Sequence, residues 1–290
     1  MSEPKREYGY QEELFPDDVA QERTLLDDLL RQSRLYQQSR EYLDLLDFTI
    51  RLRNMAPFNA MLLQIQKSGL RYAASEYDWR TRFNRIVKEH ARPLLTMWPF
   101  GPVALVYDML DTEGPELPKD AFMFYAKGKI DAQRIETFEK RLMAKEIILL
   151  WFDKGDQSAG QIVRKTSAKD PKAYSKYEIH LNRNHTADMS FVTLAHELAH
   201  LFLGHLGEDK KLGITERKRP HRVEEIEAES VAYVLCHRNR VECRSQPYLN
   251  SFVKANESAA DLDLYAITRA AGHIERLLDL SISSQWKAPT

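Results

Sequence analysis

The sequence predicts an α+β fold. N-terminal helices lead into a small antiparallel hairpin or sheet, and a second part builds a small sheet followed by two long helices. Three observations predict it. Apolar residues recur at helical spacing within residues 17–53, 187–203, 222–236 and 262–280. Between them lie short apolar or alternating runs of strand length at 92–98, 103–110, 147–152, 161–166 and 177–182. The stretch 111–118 carries two prolines and a glycine in eight residues, which marks a linker. The expected domains are therefore residues 1–118 and 119–290.

Composition bounds the rest. Of 290 residues, 43% are hydrophobic and 29% charged, the balance of an ordinary globular protein. The net charge of −1 gives no global pull toward nucleic acid. No apolar run reaches the length of a membrane span, and Met1-Ser-Glu-Pro-Lys-Arg6 lacks the pattern of a signal peptide, so a cytoplasmic location without a membrane partner is expected. The two cysteines, Cys236 and Cys243, suit a reducing compartment; their spacing matches no zinc pattern and is a weak basis for a disulfide.

Taken in order, residues 1–20 are polar. Leu25, Leu26, Leu29 and Leu30 form one apolar stripe of the first helical region, and Leu43, Leu45, Leu46, Phe48 and Ile50 a second. Residues 1–50 hold 12 acidic and 6 basic side chains, the mark of a solvated helical face. The balance reverses in 51–92, where Arg71, Arg80, Arg82, Arg85 and Lys88 stand among Phe58, Tyr72, Tyr77, Trp79 and Phe83. Basic groups that pair with phosphates, beside rings that stack on bases, are what a single-strand binder needs; a solvated basic face over an aromatic core explains the composition equally well. The strands at 92–98 and 103–110 are expected to pair as a hairpin. A helix over 131–145 precedes the strands at 147–152, 161–166 and 177–182.

The helix at 187–203, with Asp188 or Ser190 as its cap and Gly204 as its stop, contains His196-Glu197-Leu198-Ala199-His200. Residues four apart on a helix lie one above the other, so two imidazoles can converge on one zinc ion while Glu197 faces the same cleft and takes a proton from water. A catalytic zinc site needs a third protein ligand. On the next helix Glu225, Ala228, Glu229 and Ala232 share one face, and the alanines allow close approach. Glu225 can reach the metal, and Glu229, one turn on, can accept the free ring N–H of a ligand His. Glu224 and Glu227 read as solvated, and His205 as a cation at a helix C-terminus. Tyr174, Tyr177, His205 and His221 are the candidates for a second oxyanion donor. The strand at 177–182, just before the His helix, is expected to line the cleft and to accept an extended substrate. His180 and His185 near it read as structural or exposed.

Leu194-Ala-His-Glu-Leu-Ala-His-Leu-Phe-Leu-Gly-His205, with Glu225-Ile-Glu-Ala-Glu-Ser-Val-Ala-Tyr-Val-Leu235, resembles the ImmA/IrrE family of zinc metallopeptidases. The resemblance implies a zincin-like domain over 119–290 with one Zn2+ per chain held by His196, His200 and Glu225, and Glu197 as the catalytic base. Glu229 stands where that family usually has Asn. Asn54-Met-Ala-Pro-Phe-Asn-Ala-Met-Leu-Leu-Gln-Ile-Gln66, Trp79 ahead of a basic stretch, and Val106-Tyr-Asp-Met-Leu-Asp-Thr-Glu-Gly114 are similar to the N-terminal domain of ArdC-type antirestriction proteins. That likeness implies contacts to single-stranded DNA by 1–118, with Arg71, Trp79, Arg80, Arg82, Arg85 and Lys88 as the candidate residues and Asn59 matching a recurrent Asn. The Gln246–Lys254 tail and last helix are similar to the ArdC-type C-terminus. The leading expectation is a metallo-endopeptidase acting on a protein or peptide, such as a DNA-bound regulator. The alternative is an antirestriction single-strand binder whose zinc fold is only a scaffold.

Overall fold

Three apolar clusters organise the chain, and the largest draws on both of its ends. Tyr42, Leu45, Leu46, Met61 and Leu62 from the N-terminal helices share it with Leu198, Val231 and Ile267. The computed structural model describes residues 39–52, 55–97, 103–117, 129–153, 160–165, 177–243, 249 and 262–280. The expected boundary at 118, the first leucine stripe, the hairpin turn, Tyr174 and the 246–254 tail other than Leu249 lie outside these residues.

Helix α1 (Ser39–Arg51) buries Tyr42, Leu45, Leu46 and Thr49, spaced i, i+3, i+4, i+7. Helix α2 (Pro57–Gln66) starts on a proline, which lacks the N–H that a first turn leaves unpaired. A three-stranded antiparallel sheet follows in the order β1 (Ala73–Ala74), β4 (Val103–Asp108), β3 (Leu94–Met97). The hairpin pairs Leu94 with Val106 and Met97 with Val103, as the sequence predicts. Between β1 and β3 lie α3 (Glu76–Phe83), capped by Ser75, and β2 (Ile86–Val87), which pairs with β5 (Thr112–Glu113).

The open edge of β3 is closed by side chains. The Gln66 amide donates to Leu95 O at 2.9 Å and accepts from Leu95 N at 2.7 Å; Asn59 does the same with Met97 at 3.0 and 2.9 Å. Asn59 and Gln66 are seven residues apart on one face of α2, so their amides stand in for a fourth strand. Leaving the Leu95 groups unmet costs about 1–3 kcal/mol. Gln66→Leu is expected to lower unfolding free energy by that amount in urea, and an unchanged midpoint would contradict the reading.

The second sheet has the order β6 (Ile147–Phe152), β8 (Tyr177–Asn182), β7 (Gly160–Arg164). β6 runs parallel to β8, and β7 antiparallel. Helix α4 (Ala132–Met143), capped by Asp131, packs on β6, while α5 (Ala187–Phe202) covers β7 and β8. Helices α6 (His221–Arg238) and α7 (Leu264–Leu277) pack beyond α5, and α1 and α2 lie against them. The cap of α5 is Thr186, which accepts from Met189 N; the expected Asp188 and Ser190 lie inside the first turn. Neither cysteine is in a disulfide, and Cys236 is buried in α6. Among the described residues no helix is long and apolar enough to cross a membrane.

Two expectations are corrected. β8 is the middle strand, so its backbone groups are already paired; the strand that meets the cleft is β7. Trp79 is fully buried, edge-on to Tyr72 and tilted against Phe83, with its indole N–H donating to Tyr107 O at 2.9 Å. It is core, and no base can stack on it.

Arg238 closes the architecture. Its guanidinium, 4% exposed as a residue, donates to Glu275 of α7 at 2.5 Å, to Thr49 O at 2.7 Å and to Met55 O at 3.0 Å.

Candidate metal centre

Helix α5 is held by its apolar stripe. Phe191, Leu194, Ala195, Leu198 and Leu201 are all fully buried, which turns His196, Glu197 and His200 toward a cleft of about 600 Å3. The cleft walls are α5, the start of α6 and β7. Gly160 allows the close approach of β7: a Cβ there would meet His180 O at 2.5 Å and Thr193 Cγ2 at 2.6 Å.

His196 Nε2 and His200 Nε2 lie 3.1 Å apart. Glu225 bridges them, its two oxygens 3.5 Å from His196 Nε2 and 3.4 Å from His200 Nε2. The three donors fall within 4.8 Å of one another and are the metal-type cluster found among the described residues. Glu229 lies on the other side of His196, with Oε2 3.0 Å from Nδ1. The predicted ligand set is thus brought together, with Glu229 where it fixes the ring of His196.

The electrostatics suit a cation. Burial works against a charged His196, yet Glu225 and Glu229, with Glu197 and Glu229 adding charge, raise its pKa to about 10. His200, buried and beside His196, falls to about 4. Glu225 lies below the usual carboxylate range, chiefly through its bond to His196. Without a metal the cluster therefore keeps a proton on His196 at neutral pH. Ion uptake is expected to displace it, so affinity should fall as pH is lowered, and calorimetric heats should depend on the ionisation enthalpy of the buffer. Uptake with no proton release would contradict this arrangement.

Glu197 is 9% exposed. Burial raises its pKa, while His196 and the Ile162 backbone N–H draw it back. A carboxylate placed so, on the edge of β7 and beside His196, is suited to accept a proton from water in the cleft.

Residues 145–237 match the family model of the IrrE N-terminal-like domain, Peptidase_M78. This IrrE N-terminal-like segment runs from the start of β6 almost to the end of α6 and contains every residue of the cluster. Two solved structures of the antirestriction ArdC protein from the R388 plasmid are similar to most of the chain. The Mn(II)-bound one is 16% identical, covers 89% of this chain and 96% of its own, and has a TM-score of 0.39. The metal-free one is 17% identical, covers 77% and 82%, and has a TM-score of 0.34. No curated protein matches the chain significantly.

Two readings within the IrrE N-terminal-like segment change. Glu227 is fully buried, where a solvated face was expected. Both its oxygens accept from Arg217, each at 2.9 Å. His205 does not project from the helix end as a surface cation, since its side chain is only 2% exposed. Gly204, at φ 81°, turns the chain back to place it, and a Cβ there would meet Thr215 O at 2.1 Å. Gly204→Ala is expected to cost about 1–3 kcal/mol from backbone conformation alone, read as a lower melting temperature of the metal-free protein. A melt equal to wild type would refute that role.

Of the oxyanion candidates, Tyr177 is spent on Asp209 at 2.9 Å; His205 and His221 both line the cleft, His205 with its side chain buried and its ring nitrogens facing His200 and Glu227, His221 with its Nδ1 3.6 Å from Glu225. His180 and His185 do not join the cluster. The basic residues of the N-terminal part do not form one free surface. Arg85 donates to Thr112, Gly114 and Pro115, and Lys88 to Leu110 O. Arg82 lies near Asp78 and over Phe83, Arg80 is exposed within 3.8 Å of Glu76, and Arg71 is exposed.

Proposed function

We propose that the chain is a zinc-dependent metallopeptidase that hydrolyses a peptide bond in an extended protein segment. The observation that carries this is the convergence of His196, His200 and Glu225 beside a buried Glu197 tied to the cleft-side strand β7. Those three residues would hold the ion. When bound, a divalent cation supplies Lewis acidity toward water and a carbonyl oxygen. Glu197 takes the proton of the attacking water and returns it to the leaving amine. Ile162 donates its N–H to Glu197, so the alternate backbone groups of β7 point away from β8 and toward the cleft. A substrate strand can add there by main-chain hydrogen bonds, which makes recognition tolerant of side chains except where the cleft walls touch them.

The alternative as a single-strand binder loses Trp79 to the interior, although Tyr77 stays exposed; the convergent cluster beside Glu197 favours the peptidase reading. The test is to offer an unfolded protein and a mixed peptide pool to the purified chain, zinc-loaded and after chelation. New peptide termini in mass spectra are expected only with the metal. A preparation holding about one zinc per chain that cuts neither would sink the proposal.

A further inference from the structure

The mechanism above leaves His205 and Glu227 without a task, although both are buried against the ligand helix. The way α5 ends explains how His205 arrives there. His205 N–H donates to His200 O and Gly204 N–H to Leu201 O, both at 3.1 Å. This pair of bonds is the Schellman ending, which brings the residue two past the cap onto the residue three before it, usually through an apolar contact. Here both positions are histidine. Their Nδ1 atoms lie 3.0 Å apart, with ring centroids at 5.2 Å.

Two facing ring nitrogens need one proton between them, and the surroundings decide which ring carries it. His200 Nε2 faces His196 and Glu225, so it is the ligand nitrogen and His200 keeps its proton on Nδ1. His205 must then accept at Nδ1 and carry its own proton on Nε2. That nitrogen lies 3.3 Å from Glu227 Oε2, an atom that can only accept. Glu227 is in turn held by both Arg217 nitrogens and by Asp263 N–H at 3.0 Å. Every donor in the series finds an acceptor, and the order runs one way.

We propose that Arg217, Glu227 and His205 form a buried relay that fixes His200 as the Nδ1-protonated tautomer and aims its Nε2 at the metal. His205 and Glu227 are thus positioning residues. The inference rests on the metal-site reading above. It also makes the two ligand imidazoles unequal: His196 leans directly on the half-buried Glu229, His200 on a neutral ring backed by a fully buried carboxylate.

The test uses zinc-loaded wild type, with long-range 15N–1H correlations of the histidine rings. His205 is expected to be protonated at Nε2 alone and His200 at Nδ1 alone. His205→Phe is expected to weaken zinc binding about ten- to a hundredfold in competition with a chelating dye, and His205→Asn, whose amide oxygen can accept from His200 Nδ1, to restore part of it. A His205 protonated at Nδ1, or at both nitrogens, overturns the relay, as does a His205→Phe affinity within about twofold of wild type. The ring spectra of wild type decide the matter even where the Phe variant does not fold. A wild type that takes up no zinc overturns the metal reading and the relay with it; one that loads zinc with His205 in another state overturns the relay alone.

Discussion

Glu225→Ala is expected to bring zinc content from about one ion per chain to a small fraction of that, in protein that still folds. Glu225 is the oxygen donor of the cluster and comes from α6, whereas both nitrogen donors come from α5. Its two oxygens face both imidazoles, so nothing else in the cluster replaces it. Glu229 behaves differently. It touches the far nitrogen of His196, and Glu229→Gln is expected to lower affinity only about ten- to a hundredfold. Measuring both variants by competition against a chelator therefore ranks the two carboxylates. Zinc held at wild-type strength by Glu225→Ala and lost by Glu229→Ala would reverse the ligand assignment.

Glu197→Gln is expected to keep the ion and lose hydrolysis. The amide has nearly the shape of the carboxylate and can still face Ile162, but it cannot accept a proton from water. Removing a general base typically costs about 10²–10⁴ in rate. Metal content should be unaltered, since Glu197 is not among the three donors. A variant that cleaves peptides at more than about a tenth of the wild-type rate would remove Glu197 from the chemistry.

The cluster was legible in the sequence because its geometry is local. His196 and His200 are one turn apart, and Glu225 and Glu229 likewise, so helical spacing alone stacks each pair. Glu227 was misread because spacing says only that it points away from Glu225. Its burial depends on Arg217, which reaches it from the loop before α6. His205 carried a usable signal that went unread: a histidine just after Gly204, five past His200, is the contact position of a Schellman ending. The order of β6, β8 and β7 was not legible, because strand-length runs do not reveal which strand is central. Composition leaves Trp79 and Arg85 open between a binding face and an aromatic core, and only the ArdC-type resemblance favours DNA contacts; in the fold Tyr72, Phe83 and the 112–115 backbone absorb them. Nothing short of tertiary packing separates those outcomes.

Arg238 bears on how the chain can be divided. Its guanidinium holds the buried Thr49 carbonyl and Glu275 carboxylate and the part-buried Met55 carbonyl. Cutting near residue 118 would take away two of those acceptors and strip α6 of the apolar surface supplied by Tyr42, Leu45 and Leu46. The half that bears the His196, His200 and Glu225 cluster is therefore not expected to fold as a portable cassette. Its ligand helix borrows part of its interior from the other end of the polypeptide, and grafting it onto another protein would require carrying α1 and α2 along.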